Sequence, residues 1–204
     1  MSDNLSLDLI QEKKIIVFDL DGTIVKLKVN WKNLREILSK KYSKIYNTSR
    51  NFDRITICLS SVLDKGDLDV FREFLNIICT TEYNNIEETH VIEGTAHFIK
   101  NYTRFGIPKN TQFAILSLNC RKTIKRAIEI AGIADKISYI VGREDVKEWK
   151  PNPAGLLKIK THFDVNPDQM IYFGDVKKDL VAGQRAEIDA YFIEELLELV
   201  NKKK

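Results

Sequence analysis

Residues 15–20 are apolar except for Asp19. The unbroken run Ile15-Ile16-Val17-Phe18 does not alternate, so a strand formed from it must be covered on both faces, as in a parallel sheet. Such sheets bind ligands beyond the carboxyl ends of their strands. At that end stand two acids, Asp19 and Asp21, followed at once by Gly22 and Thr23. Buried neighbouring carboxylates repel by about 4 kcal/mol at roughly 4 Å and an effective dielectric of about 20, so a shared proton, a cation or a basic side chain must offset them. Residues 172–179, YFGDVKKD, repeat the arrangement of apolar run, glycine and acid, with Asp175 and then Asp179. Acids at two strand ends suggest a divalent ion between them. Mg2+ is the natural candidate, because it takes hard oxygen ligands and keeps waters for a phosphorylated substrate.

From Gly94 onward, strand and helix patterns alternate. Strands are predicted at 113–118, 137–141, 170–173 and 190–193. Helices are predicted from Ala96 to near Gly106, at 121–131 (closed by Gly132), and at 153–161, 177–186 and 194–201. That alternation implies an α/β chain with a doubly wound, Rossmann-like parallel sheet. Residues 26–92 carry no convincing strand. They show three apolar stripes at helical spacing: Trp31, Leu34, Ile37, Leu38 and Ile45; Ile55, Leu59, Val62 and Leu63; Val70, Phe71, Phe74, Leu75 and Ile78. Breaks are expected at 47–51 and 65–66, with Asp67 or Asp69 capping the third helix. The chain is therefore divided into a core, residues 1–26 and 93–204, and an inserted all-helical cap domain, residues 27–92.

A net charge of +3 is too small to argue for nucleic acid. No apolar stretch approaches the roughly 18 residues of a membrane span. The amino-terminal residues lack the long apolar segment of a secretory signal, so a cytoplasmic setting is expected. Cys58, Cys79 and Cys120 are widely spaced and fit no ligand pattern, and each is expected to be a small reduced hydrophobe. The histidines read as structural or surface residues, and Trp31 and Trp149 as packing residues. From Lys26 to Arg54, nine basic residues face two acids; from Asp64 to Glu93, eight acids face two basic residues. Most of these are read as solvated helix faces, with Lys26 and Lys28 singled out as possible substrate contacts. No pattern sets an oligomeric state.

Four features fall at strand ends or just after them: Asp19 and Asp21; Ser117 and Asn119 in ILSLN; Lys150 in KEWKPNPAG; and Asp175 with Asp179 in GDVKKD. In that order they resemble the motifs of the haloacid dehalogenase superfamily, over residues 13–25 and about 93–195, with the helical insert where that family carries a helical cap. The resemblance implies Asp19 as a nucleophile that forms an aspartyl phosphate, and Asp21 as general acid and then base. It implies Mg2+ on the Asp19 carboxylate, the Asp21 carbonyl and Asp175, with Asp179 acting through water or orienting Lys150. Thr23, Ser117, Leu118 and Lys150 would hold the phosphoryl group. An acid two residues after the nucleophile argues for phosphoryl transfer over dehalogenation. The expected activity is Mg2+-dependent hydrolysis of a small phosphorylated metabolite, similar to phosphoglycolate phosphatases, with no nucleic-acid or membrane partner. A phosphosugar mutase and a catalytically silent binding or regulatory protein on the same scaffold stay open as alternatives.

Overall fold

The computed structural model describes residues 4–203; residues 1–3 of the segment read for a secretory signal lie outside the described residues. After a short helix α1 (Leu7–Gln11), the apolar run forms β1 (Ile15–Phe18). It becomes the central strand of a five-stranded sheet completed by β4 (Gln112–Leu116), β5 (Ile137–Val141), β6 (Met170–Gly174) and β7 (Asp189–Phe192), in the order β5-β4-β1-β6-β7. All four pairings are parallel, and Phe18 lies in register with Ile115 on one side and Phe173 on the other. The chain leaves β1 toward β4 and β5, then crosses back to β6 and β7. The β1 end is therefore the point where strand order reverses and a crevice opens.

Both faces of β1 are covered, as its non-alternating pattern requires. Ile16 and Phe18 pack with residues of α1, α5 (Glu93–Lys100), α6 (Arg121–Ile130) and α9 (Ile193–Lys202). Ile15 and Val17 pack with residues of α7 (Ala154–Phe163) and α8 (Lys177–Arg185). Phe18 is fully buried, with ring centroids 5.5 Å from Phe173 and 6.4 Å from both Phe98 and Phe113. Truncating such a ring typically costs about 3–5 kcal/mol.

The insertion holds three helices, α2 (Trp31–Tyr46), α3 (Ile55–Leu63) and α4 (Leu68–Asn84). Asn30 caps α2 and Asp67 caps α4, each accepting a backbone N–H three residues on. Leu34, Leu38, Tyr42, Leu59, Val62, Phe74 and Ile78 form a separate apolar cluster, and Trp149 of the core seats into it. Ile37 and Ile45, assigned to the apolar stripe of α2, are exposed; Tyr42 takes the inward position instead.

Three further departures have physical causes. Residues 26–92 do contain strand: β2 (Val25–Lys26) pairs antiparallel with β3 (His90–Val91) where the insertion leaves and rejoins the core. Two residues are too few to show a period. The residues around Phe113 form a strand that stops at Leu116, which leaves Ser117 and Leu118 in the loop beyond it. Cys79 of α4 and Cys120, just before α6, are joined by a disulfide, so neither is the unpaired hydrophobe expected. Their separation of 41 positions hides a contact that arises only when the insertion folds against the core. Cys58 is free and buried. His97 packs edge-on against Phe105 and His162 stacks on Tyr139. Among the described residues, no helix is long and apolar enough to cross a membrane.

Candidate active site

Three adjacent parallel strands, β4, β1 and β6, deliver Ser117, Asp19 and Asp175 to one end of the sheet, and Lys150 joins them from the loop before α7. Asp19 follows β1 directly, and its N–H donates to the Phe173 carbonyl at 2.8 Å, extending the ladder by one residue. Asp175 follows β6. The turn after β1 is tight: the Gly22 N–H donates to the Val25 carbonyl at 2.7 Å, with φ of +90° at Gly22. A Cβ there would collide with the Asp175 carboxylate. Glycine is required on both counts.

Lys150 lies at the centre of the buried charge. Its ammonium sits 2.9 Å from Asp19 Oδ1 and 2.7 Å from Asp179 Oδ1, and it donates to the Tyr172 hydroxyl at 2.8 Å and the Leu116 carbonyl at 3.3 Å. Tyr172 in turn donates to Asp179 Oδ1 at 3.0 Å, and the Val176 N–H donates to Asp179 Oδ2 at 3.2 Å. Asp179 is completely buried and Lys150 is 5% exposed. One ammonium between two buried carboxylates cannot offset desolvation of both. Burial raises the Asp19 carboxyl, with Lys150 opposing and Asp179 adding to the shift. Lys150 is itself held above the ordinary lysine range: burial disfavours its charge, but Asp19 and Asp179 outweigh that. Burial, reinforced by Asp19 and Asp179, pushes Asp175 up to about 6.

Carboxylate oxygens of Asp19, Asp175 and Asp179 all lie within 4.8 Å of one another. This all-oxygen donor set, in which burial and then the neighbouring acids raise Asp19 and Asp175 toward the neutral form, has the composition and the electrostatic demand of a hard-cation site. Asp21 is separate from that triad. Its Oδ1 accepts the Leu27 N–H at 2.9 Å, at the first residue of the insertion. Burial, with a smaller contribution from Asp19, lifts it to about 6 against the opposing Leu27 bond.

A cavity of about 1030 Å³ lies above these groups, between the core and the insertion. Asp19, Asp21, Ser117, Leu118, Lys150 and Asp175 line it. Ser117 is buried, and its hydroxyl donates to Asn119 Oδ1 at 2.8 Å and accepts the Asn119 N–H at 3.2 Å. Thr23 and Asp179 do not reach the lining; Thr23 is fully buried, and its hydroxyl has no hydrogen-bond partner. Lys26 and Lys28 do not line the cavity either. Besides Lys150, its cations are Arg35, Arg50 and Arg54 from the insertion, Arg143 and Lys147 from the segment after β5, and Lys177 and Lys178 at the start of α8. Both tryptophans line it as well as packing.

The buried pair Glu82–Arg143 was not apparent in the sequence. Glu82 of α4 accepts Arg143 Nη2 at 2.7 Å and the Cys120 N–H at 2.9 Å, so a carboxylate of the insertion satisfies an amide of the core. Arg143 is 3% exposed, and its Nε and Nη1 have no partner among the described residues. Tyr172 was missed as well. Its place is legible only in register, two residues before Gly174 on the face that meets Lys150.

The haloacid dehalogenase-like hydrolase family model matches residues 16–193. A phosphoglycolate phosphatase of Aquifex aeolicus is 25% identical over 183 residues, covering 85% of this chain and 81% of that protein. A pyrophosphatase PpaX of Oceanobacillus iheyensis is 25% identical over 175 residues, covering 86% and 80%. Among solved structures, a HAD-superfamily hydrolase from Geobacter sulfurreducens superposes with a TM-score of 0.58 at 14% identity, covering 95% of this chain and 98% of that one. CbbY from Rhodobacter sphaeroides, in complex with phosphate, superposes with a TM-score of 0.58 at 16% identity, covering 88% and 85%. The matched family, the parallel sheet and the acids at its strand ends agree: this chain belongs to the haloacid dehalogenase-like hydrolases.

Proposed function

We propose that this protein is a Mg2+-dependent phosphatase that hydrolyses a small phosphate monoester through an aspartyl-phosphate intermediate, in the manner of the phosphoglycolate phosphatases it is similar to. The observation that carries this reading is the convergence of Asp19, Asp175 and Lys150 at the floor of one cavity, with Asp179 buried directly behind them on Lys150.

Asp19 supplies the nucleophilic oxygen. As its bond to phosphorus forms, the ester P–O bond breaks, and Asp21 protonates the departing alkoxide. A carboxyl lifted to about 6 is suited to that donation near neutral pH. In the second half, Asp21 takes a proton from water as the water oxygen attacks phosphorus, releasing orthophosphate and restoring Asp19. Lys150 offsets the charge of Asp19 and of the phosphoryl oxygens that approach it. Ser117 and the backbone around Leu118 hold those oxygens on the far side; Thr23 supports the turn from below rather than touching substrate.

Asp19 and Asp175, with the Asp21 backbone carbonyl, would hold Mg2+, while Asp179 adds charge and keeps its oxygens on Lys150, Tyr172 and the Val176 amide. When bound, the ion neutralises charge on the phosphoryl group and orients it for in-line attack. The insertion, residues 27–92, acts as a cap that shields the reaction from bulk water and selects the leaving group. The arginines of its inner wall suit a substrate with a second anionic group, as in phosphoglycolate or pyrophosphate. A cytoplasmic setting belongs to the same proposal.

The test is orthophosphate release from p-nitrophenyl phosphate and from phosphoglycolate, by wild type and Asp19→Asn, in Mg2+ and in EDTA. Metal-dependent turnover that disappears in the variant is expected. Turnover that survives both EDTA and Asp19→Asn would refute the mechanism.

A further inference from the structure

The bond between Cys79 and Cys120 ties the insertion to the core beside the loop that lines the cavity floor. Cys79 belongs to α4, in the insertion. Cys120 follows Ser117, Leu118 and Asn119, the loop beyond β4 that lines the cavity floor. Their Cα atoms are 5.5 Å apart, the usual spacing of a bridged pair. One turn further along α4, Glu82 grips the same loop through the Cys120 N–H and reaches Arg143. The remaining covalent path between insertion and core is the β2–β3 ribbon, only two residues wide on each side. A ribbon so short bends readily; a disulfide does not.

The bridge is also reachable. Cys79 is half-buried, and a small surface cavity of about 190 Å³ is lined by Leu75, Asn76, Cys79, Cys120, Arg143 and Glu144. Cys58 offers no competing partner: it is fully buried inside the insertion, away from that opening.

We infer that Cys79 and Cys120 form a reversible latch by which thiol–disulfide exchange sets whether the insertion can move on the core, and thereby regulates turnover. The regulatory readout rests on the phosphatase reading; the latch itself does not. Closing the latch takes an external disulfide as oxidant. One cysteine thiolate attacks it and releases a thiolate; the second cysteine then displaces the other half. Two electrons pass to the external disulfide, and two thiols leave. A small dithiol reverses both steps. With the latch closed, α4 is bound to the loop that carries Ser117, and substrate entry and product release slow because the cavity walls cannot part. With it open, only the ribbon and non-covalent packing restrain the insertion.

The experiment compares purified protein equilibrated with dithiothreitol and with glutathione disulfide. Peptide mass spectrometry is expected to find Cys79 linked to Cys120 and Cys58 free in the oxidised sample. kcat is expected to fall roughly tenfold on oxidation and to return on reduction. Cys79→Ser should hold the reduced wild-type rate in both conditions. Absence of the linked peptide would overturn the proposal, and so would a linked protein with unchanged kcat. If neither sample hydrolyses a phosphate ester, the phosphatase reading has failed, and hydrogen exchange decides the latch separately. Faster exchange in α4 and the β2–β3 ribbon on reduction supports it, and equal exchange refutes it.

Discussion

Lys150→Met tests the electrostatic account of the site without reference to turnover. The substitution keeps most of the side-chain volume and removes the one ammonium that faces Asp19 at 2.9 Å and Asp179 at 2.7 Å. Breaking a buried ion pair by removing one partner typically costs about 3–5 kcal/mol, because the remaining charge has neither water nor a counter-ion. Here two carboxylates are left, so the folded variant takes up a proton that the unfolded chain does not hold. The sign follows from linkage. A carboxyl whose folded pKa is raised destabilises the fold progressively as pH rises above its unfolded value of 3.8, and the penalty levels off above the folded pKa. Each pH unit inside that window is worth about 1.4 kcal/mol per proton. The deficit relative to wild type should therefore be about 3–5 kcal/mol at pH 8 and shrink by more than half at pH 5. At pH 8 this is a loss of about 10 °C in Tm for a chain of this size. Urea denaturation followed by circular dichroism, in EDTA at a series of pH values, measures it. Lys150→Met combined with Asp179→Asn should recover part of the loss. A deficit below about 1 kcal/mol at pH 8, or one independent of pH, would show that Lys150 is not neutralising buried charge.

Two further outcomes are expected. Asp21 and Asp175 are both lifted to about 6 from 3.8, so in the metal-free protein they contribute a loss of stability as pH rises between those values. Discounted for partial solvent screening, the pair is worth about 3 kcal/mol. The double variant Asp21→Asn, Asp175→Asn should lose less Tm than wild type over that window, and an identical pH profile would count against the shifts. Gly22→Ala forces a side chain into a left-handed turn and against Asp175, so it should cost about 1–2 kcal/mol from backbone strain alone. It should also raise the Mg2+ concentration that half-saturates the rise in Tm; an unchanged titration would show that Asp175 does not need that turn.

The core was legible because its signals are local. A non-alternating run such as 15–18 can be satisfied only between two covered faces, and an acid placed directly after such a run has to sit at a strand end. Asp19 and Asp175 were therefore placed by pattern, and the parallel register of the neighbouring strands β1 and β6 brought them together, while Lys150 reaches them from the loop before α7. What escaped the sequence depends on partners far along the chain. Glu82 reads as one acid in an acidic helix until Arg143, 61 positions away, folds against it. Cys79 and Cys120 belong to different structural units. Lys26 and Lys28 are near Asp21 in sequence, but both are exposed and neither lines the cavity, which takes the insertion's share of its positive charge from Arg35, Arg50 and Arg54 instead. Nearness along the chain was a poor guide wherever a turn intervened.

The β2–β3 ribbon has a topological consequence. Val25 pairs with Val91 and Lys26 with His90, so the insertion begins and ends on residues about 5 Å apart. To the sheet, everything from 27 to 89 is a hairpin loop. The entropy of closing a loop grows only slowly with its length, and here the pairing at its base has already closed it. Another segment whose ends meet side by side could replace this one without moving Asp19, Lys150 or Asp175. Asp21 is one constraint on such exchange, since its carboxylate is held by the Leu27 amide, the first group past the ribbon. A transplanted insertion would need to present one backbone N–H at that place, a carboxylate for the Cys120 amide and Arg143, and an apolar seat for Trp149.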